Sequence, residues 1–406
     1  MLFISIERKN LMIMWFANFF VAASATMVLP FLSLYLETFG NYDSAFVQRW
    51  SGYVFGITFL IAFFISPVWG RVGDKYGFKP ILLITGYGIS LSIFMMGFVD
   101  SVAGLFLLRM AMGAVTGFIP TSLALISAQT PKEIAGKTLG TLQMGTVSGG
   151  LFGPVLGGLM ADAFGFSYTF IITSIAIALA ATGVLFGIQE VRNTSKSSAE
   201  KKRYSSKEVL QHIVRHKLLL TVMIISFIIQ VANFSVQPLL ALYVDELTAA
   251  TNIAFLAGLA FSATGVGNLL ATRKWGKLGD EIGYEKVLSI LLVLACVFII
   301  PQALSENLWQ LVLFRFLFGI AIGGMIPSVT AYIRQEAPLS MQGEVLGYNQ
   351  SFRFLGNVAG PVLGGVLSGF AGISSIFYIT GALFLAAFGL LWWSMRHSES
   401  YVNEPF

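Results

Sequence analysis

Charge is scarce in this chain. Aspartate, glutamate, lysine and arginine together make up 11% of its 406 residues, where an ordinary soluble domain carries about 25%. Cys296 is the single cysteine and lies inside an apolar run, which excludes a disulfide framework and a cysteine-rich metal site. The three histidines, His212, His216 and His397, all sit in polar flanks, so a buried histidine centre has no candidate. No nucleotide-binding glycine loop, metal-ligand cluster or nucleophile constellation is present. An enzyme is not expected, and neither is a metal or an organic cofactor.

What the chain has instead is apolar length. Hydrophobic residues make up 56% and the mean hydropathy is +0.78. Runs of spanning length fall at about 11–36, 50–69, 80–99, 102–128, 138–161, 167–188, 217–243, 253–272, 287–302, 308–333, 344–369 and 374–395. The ninth is short and is expected to extend into its flanks. The runs are continuous rather than alternating, which argues for helices and against a membrane β-barrel. The first run is longer than the apolar region of a cleavable signal, so it reads as a retained span.

The charges orient these spans. With the N-terminus in the cytoplasm, the inner segments hold Arg8, Lys9, Arg71, Lys75, Lys79, Lys132, Lys137, Arg273, Lys274, Lys277, Lys286, Arg334 and Arg396, plus a cluster over 192–217. The outer gaps hold Arg49 alone, against Glu37, Asp43, Asp100, Asp162, Asp245, Glu246 and Glu306. This satisfies the positive-inside rule with both termini cytoplasmic. The +5 net charge is read as topology, and nucleic acid is not an expected partner. Residues 189–216 are the one long polar stretch and read as a cytoplasmic linker between two halves, 1–188 and 217–406. Its basic cluster Lys201, Lys202 and Arg203 suits anionic lipid or serves as a topology signal.

The halves repeat. Gly70, Gly73, Asp74 and Gly77 match Gly276, Gly279, Asp280 and Gly283, all 206 residues on. Pro30, Tyr35 and Glu37 fall on Pro238, Tyr243 and Asp245. Arg109, Gly113 and Gly117 fall on Arg315, Gly319 and Gly323, and Gln143 falls on Gln350. Gly153-Pro-Val-Leu-Gly-Gly158 is repeated as Gly360-Pro-Val-Leu-Gly-Gly365. Two parallel six-helix halves are a transporter geometry. The expected fold is all-α and membrane-embedded, with twelve spans in two pseudo-symmetric halves.

Three stretches carry a family resemblance. Gly70-Arg-Val-Gly-Asp-Lys-Tyr-Gly-Phe-Lys79 reads as a charged, glycine-rich turn between the second and third spans. Leu105 to Gly117 places Arg109 among glycines in the fourth, and Gly149 to Gly158 adds Gly153, Pro154 and Gly157 in the fifth. On these the chain resembles the major facilitator superfamily, in particular its twelve-helix drug:proton antiporters and the Gram-positive multidrug exporters among them. It departs at Phe78, where many members have Arg, and at Met112, where Gln is usual. The resemblance implies alternating access driven by the proton gradient, and a part in proton transfer for Arg109. It also implies a moving role for the helix-5 glycines.

The physical reading runs beside it. Gly70, Arg71, Gly73, Asp74, Lys75, Gly77 and Lys79, with Gly276 and Asp280, form either a cytoplasmic gate or a basic topology signal; the repeated Asp favours the gate. Gly149, Gly153, Pro154, Gly157, Gly158, Gly360 and Pro361 suit close helix contact, as a hinge or as static packing. Arg109 and Arg315 lie about seven residues inside their spans and Arg353 deeper. Such charges are functional by default, snorkelling being the alternative. The twenty acids all fall in loops or at helix ends, so proton coupling is assigned to Glu37, Asp245 and Glu246 with Arg109 and Arg315. Ordinary outer-loop acids are the alternative. The expected substrate cavity draws on Asn18, Tyr35, Phe118, Gln143, Phe227, Gln230, Asn233, Phe234, Gln237, Asn349, Gln350, Arg353 and Asn357. Aromatic walls with scattered amides suit bulky lipophilic or amphipathic compounds. The expectation is a monomeric proton-coupled multidrug exporter whose partners are such compounds, protons and lipids. A dedicated exporter of one metabolite is the alternative.

Overall fold

A computed structural model describes residues 2–131, 134–190, 206–338 and 341–399. The linker residues 191–205, with Lys201, Lys202 and Arg203, lie outside the described residues, as do Lys132 and the side chain of Asp74. The helices are α1 (Leu2–Met27), α2 (Leu32–Glu37), α3 (Ser44–Tyr76), α4 (Phe78–Met96), α5 (Val102–Ala114), α6 (Phe118–Gln129), α7 (Ala135–Phe164) and α8 (Phe166–Gly187). They continue with α9 (Ser206–Arg215), α10 (Lys217–Val236), α11 (Leu240–Leu247), α12 (Ile253–Ile282), α13 (Tyr284–Ile299), α14 (Leu308–Glu336), α15 (Gln342–Ala371) and α16 (Ile373–Glu399). There is no strand among the described residues. Among the described residues twelve stretches are long and apolar enough to cross a membrane, and a helix satisfies its own backbone groups there. The short ninth run does extend, to Tyr284–Leu304.

Three expected runs are broken: the fourth between α5 and α6, after Ala114, and the first and seventh near a proline. The first run breaks after Met27, near Pro30, and resumes as α2. The seventh breaks into a 3-10 turn, Gln237–Leu239, at the equivalent Pro238. Proline has no N–H to continue the ladder. The charged turn at 70–79 is largely helical. α3 runs unbroken through Tyr76, and α12 through Ile282. The break is one glycine in each copy, Gly77 at φ +98° and Gly283 at φ +97°, a conformation that other residues rarely adopt.

By its contacts the chain divides into Met1–Lys196 with Leu240–Ser262, and Ser197–Leu239 with Ala263–Phe406. Within the first unit a glycine seam joins α7 to α1. A Cβ at Gly145, Gly149, Gly153 or Gly157 would strike the carbonyl oxygen of Trp15, Phe19, Ala23 or Met27 respectively. Both helices advance by four residues, so the seam is one i, i+4 ridge laid against another. The second unit repeats it: Gly356, Gly360 and Gly364 of α15 face the carbonyls of Phe227, Val231 and Ser235 of α10. A further shared strut sits elsewhere in each unit. The Trp69 indole N–H donates to the Ala114 carbonyl at 2.9 Å, and that of Trp275 to Ile320 at 2.8 Å.

Gly149 and Gly150 are neighbours with opposite surroundings, since nothing lies within 4 Å of a Cβ built on Gly150. Gly149→Ala should therefore destabilise the protein by about 1–3 kcal/mol through overpacking. Gly150→Ala should be neutral or stabilise by up to about 1 kcal/mol through helix propensity. Thermal unfolding of both variants in detergent checks the contrast; equal melting temperatures would contradict the seam.

Candidate functional site

The deepest charges are the two repeat-related arginines, each 4% exposed. Arg109 lies on α5 with its guanidinium 5.5 Å from the centre of the Phe55 ring. Its Nη1 reaches Met112 Sδ at 3.7 Å, and its carbonyl accepts from the Thr58 hydroxyl at 3.1 Å. Its Nε has no partner within the protein, and among the described residues no carboxylate pairs with it.

The same face of α3 holds two residues outside the sequence-based candidates, Gln48 and Ser51. They are 7% and 0% exposed, and Gln48 Oε1 and Ser51 Oγ lack protein partners. Their signal is the spacing of Gln48, Ser51, Phe55 and Thr58, which recur every three or four residues. Hydropathy hides it, because the second apolar run starts at residue 50 and the helix starts at Ser44.

The acids gather at one place in the first unit. Glu37 ends α2, and Asp245 and Glu246 stand on α11; all three are exposed. The Glu37 carboxyl is raised above its ordinary value, first by partial loss of water around it and second by the charge of Asp245. Its exposure lets solvent screen both effects. A fourth acid, Asp162 at the end of α7, has a structural role that the charge pattern does not reveal. It caps the start of α12: Oδ2 accepts from the Phe255 N–H at 2.7 Å and Oδ1 from Ala254 at 3.3 Å. Beside it, a Cβ on Gly158 would strike the Ala254 carbonyl.

The residues expected to line a cavity divide by burial. Tyr35 and Phe118 are core residues of the first unit, and the Tyr35 hydroxyl donates to the carbonyls of Met96 and Val99 at 2.9 and 2.8 Å. Asn18 is fully buried with neither amide atom partnered, while Gln143 is exposed. In the second unit Gln230 and Asn349 are buried, and Asn233, Phe234, Gln237 and Asn357 are half-buried. Phe227 lines an apolar groove of about 230 Å³ with Val231, Ser235 and Gly364. Arg353 is half-buried; its Nη1 donates to Gln350 Oε1 at 2.9 Å and its Nε is unpartnered.

The gate candidates are bracketed by the end of α8. Glu190 accepts from the backbone N–H of Phe78 and Lys79 at 2.8 and 3.0 Å, which satisfies two free donors at the start of α4. Lys79 Nζ returns the cap, donating to the Ile188 carbonyl at 2.8 Å. In the second copy Asp280 accepts from the Tyr284 hydroxyl across the Gly283 break. Phe78 holds the position of Tyr284 in the first copy and has no hydroxyl to offer. Gly70, Arg71, Lys75 and Asp280 are exposed, and Gly276 is half-buried.

The chain matches the family described as Major Facilitator Superfamily over residues 14–272 and 247–405. It is 62% identical over 391 residues to an uncharacterised transporter of that type, YuxJ of Bacillus subtilis, covering 96% of this chain and 100% of the relative. It is 38% identical over 394 residues to the multidrug resistance protein MdtG of Dickeya zeae, covering 97% and 96%. Among solved structures, the nucleoside transporter NupG superposes with a TM-score of 0.77 at 13% identity, covering 95% of this chain and 99% of the other. A D-xylose–proton symporter gives 0.76 at 13%, covering 95% and 97%. At that identity the two structures speak for the fold alone.

Because Asp245 is the charge that raises Glu37, Asp245→Asn should lower the Glu37 pKa. Carboxyl-stretch infrared titration of the variant reads this directly, and an unchanged midpoint would refute the coupling. The sign for stability follows from linkage. A carboxyl raised in the folded state costs stability as pH rises from its unfolded to its folded pKa, so Glu37→Gln should flatten that part of the pH–stability curve.

Proposed function

The chain belongs to the Major Facilitator Superfamily, and from that membership we propose that it is a proton-coupled exporter of diverse lipophilic and amphipathic compounds, working by alternating access. It is a multi-pass protein of the plasma membrane and not an enzyme. The observation that carries the export reading is the 38% identity with MdtG over nearly the whole of both chains, because a shared pocket needs shared residues along several spans. The apolar, amide-dotted character of the expected cavity residues supports it, since such walls favour bulky apolar ligands over sugars. We place both termini and the Gly70–Lys79 segment on the cytoplasmic side, where the basic residues cluster. Protons then enter from outside near Glu37, Asp245 and Glu246, which are exposed and close enough for one charge to raise another. The proposed working form is a monomer.

Arg353 favours a second reading. A half-buried guanidinium held by Gln350 suits the carboxylate or phosphate of one metabolite, and a dedicated exporter on the same fold would use it so.

The test is dye efflux from proteoliposomes with an imposed pH gradient. The wild type should extrude chemically unrelated dyes that compete with one another. Glu37→Gln and Asp245→Asn should each cut gradient-driven efflux about tenfold or more, a usual scale for losing a proton-transfer group. Flux of one anionic metabolite with no dye competition would select the second reading. Full efflux in both carboxylate variants would remove these acids from the coupling.

A further inference from the structure

α12 carries a lysine where the first copy of the repeat has a valine. Lys274 stands at the place of Val68, 206 residues on. It lies eight residues inside the end of α12 at Ile282, about 12 Å along the helix axis. The stretch around it, Ile253–Ile282, is long and apolar enough to cross a membrane. A lysine so placed lays its stem on apolar surface and sends its ammonium toward the interface. Among the described residues no acid pairs with it. Lys277, about one turn nearer the helix end, meets Glu281 at 3.8 Å. All three side chains are exposed.

Lys274, Lys277 and Glu281 edge a groove of about 600 Å³, within the range of about 300–1,000 Å³ that ligand pockets occupy. Its apolar wall includes Leu270, Ala271 and Trp275 of α12, with Phe316 and Ile320 of α14. The Trp275 ring is a fixed part of that wall, because its indole N–H donates to the Ile320 carbonyl at 2.8 Å. The two helices run parallel: Gly267 meets the Phe316 carbonyl, and Trp275 meets Ile320 and Gly324 further along. The groove is therefore graded. Leu270 and Phe316 form its deep end, and its charged residues begin at Lys274. From Leu270 to Glu281 it runs about 16 Å, about half of the hydrocarbon thickness of a bilayer. Leu270 is 61% exposed, so the chain does not fill the deep end itself.

A small soluble anion would leave the apolar end empty, and a neutral apolar compound would leave Lys274 without a counter-charge. An amphiphile with one negative charge satisfies both ends. Two lysines and one glutamate leave a single net positive charge at the rim, which one phosphate diester neutralises. We propose that this groove holds one anionic phospholipid. Its acyl chain lies along Leu270, Trp275, Phe316 and Ile320. Its phosphate sits between Lys274 and Lys277, which share a face of α12 at three-residue spacing. With Val68 in place of Lys274, the first repeat lacks the deeper of the two cations.

Native mass spectrometry of the purified full-length protein in neutral detergent tests the site, with phosphatidylglycerol and phosphatidylcholine of the same long chains added in competition. The wild type should retain one phosphatidylglycerol about fivefold or more over phosphatidylcholine, the scale of one lysine acting on an anionic lipid. Lys274→Gln should remove most of that preference, and Lys274→Arg should keep it. Lys277→Gln should weaken the preference as well, and it decides the question if Lys274→Gln fails to fold. Free glycerol phosphate should not displace the lipid, since it cannot occupy the apolar end. Equal retention of the two lipids, or a preference undiminished in both glutamine variants, overturns the site. Displacement by glycerol phosphate overturns the lipid as its occupant. None of these readings needs transport, so they stand apart from the export reading.

Discussion

Gly149 comes so near the carbonyl of Phe19 that a single methyl group would not fit between them. That constraint underlies most of this structure. In lipid a helix gains little by burying leucine against leucine, because the hydrocarbon outside is as apolar as the protein inside. Association must come from close backbone approach and from a few hydrogen bonds. Glycine makes the approach possible, and repetition every four residues makes it continuous. The α1–α7 seam and the α10–α15 seam are the same solution used twice, and the tryptophan struts from α3 and α12 add a directional bond to each unit. The glycine–proline motif is accordingly part of the packing of each unit. At Gly158 the seam also reaches α12, where Asp162 caps the first turn.

Polar groups set the second level of organisation. A buried amide or guanidinium costs several kcal/mol when unpaired, so its position carries information that an apolar residue's does not. Arg109 illustrates this. Its guanidinium meets a ring and a sulfur, and among the described residues no acid pairs with it. The carboxylates instead lie exposed near the ends of spans, where water screens them and protons reach them. Charge and counter-charge are thus separated in the first unit. This separation is compatible with a transporter in which the two meet at another stage of its cycle.

Much of the architecture is legible in the sequence. Twelve spans follow from twelve apolar runs, since hydrocarbon permits few ways to close the backbone. The repeat is visible as matched glycines, prolines and arginines at a nearly constant offset. Sequence is weaker at boundaries. The 70–79 stretch reads as a turn because charge and glycine usually mark one, yet α3 carries its helix through it to Gly77. Pro30 and Pro238 break helices where the apolar runs are continuous.

The candidate site is legible only in part. The sequence alone determined that the chain is an all-helical membrane protein with an internal repeat, and it singled out Arg109, Arg315 and Arg353 inside apolar runs. These follow from composition and spacing, which act along the chain. Tertiary structure decided which face of α3 meets Arg109, and so brought Gln48 and Ser51 into view. It also decided that Glu190 and Lys79 cap each other's helices, that Tyr35 serves as a strut, and that Glu37 feels Asp245. Each of these pairs residues far apart in the chain. Their meeting depends on how closely two helices approach and at what register, and that is set by glycine seams acting across the fold.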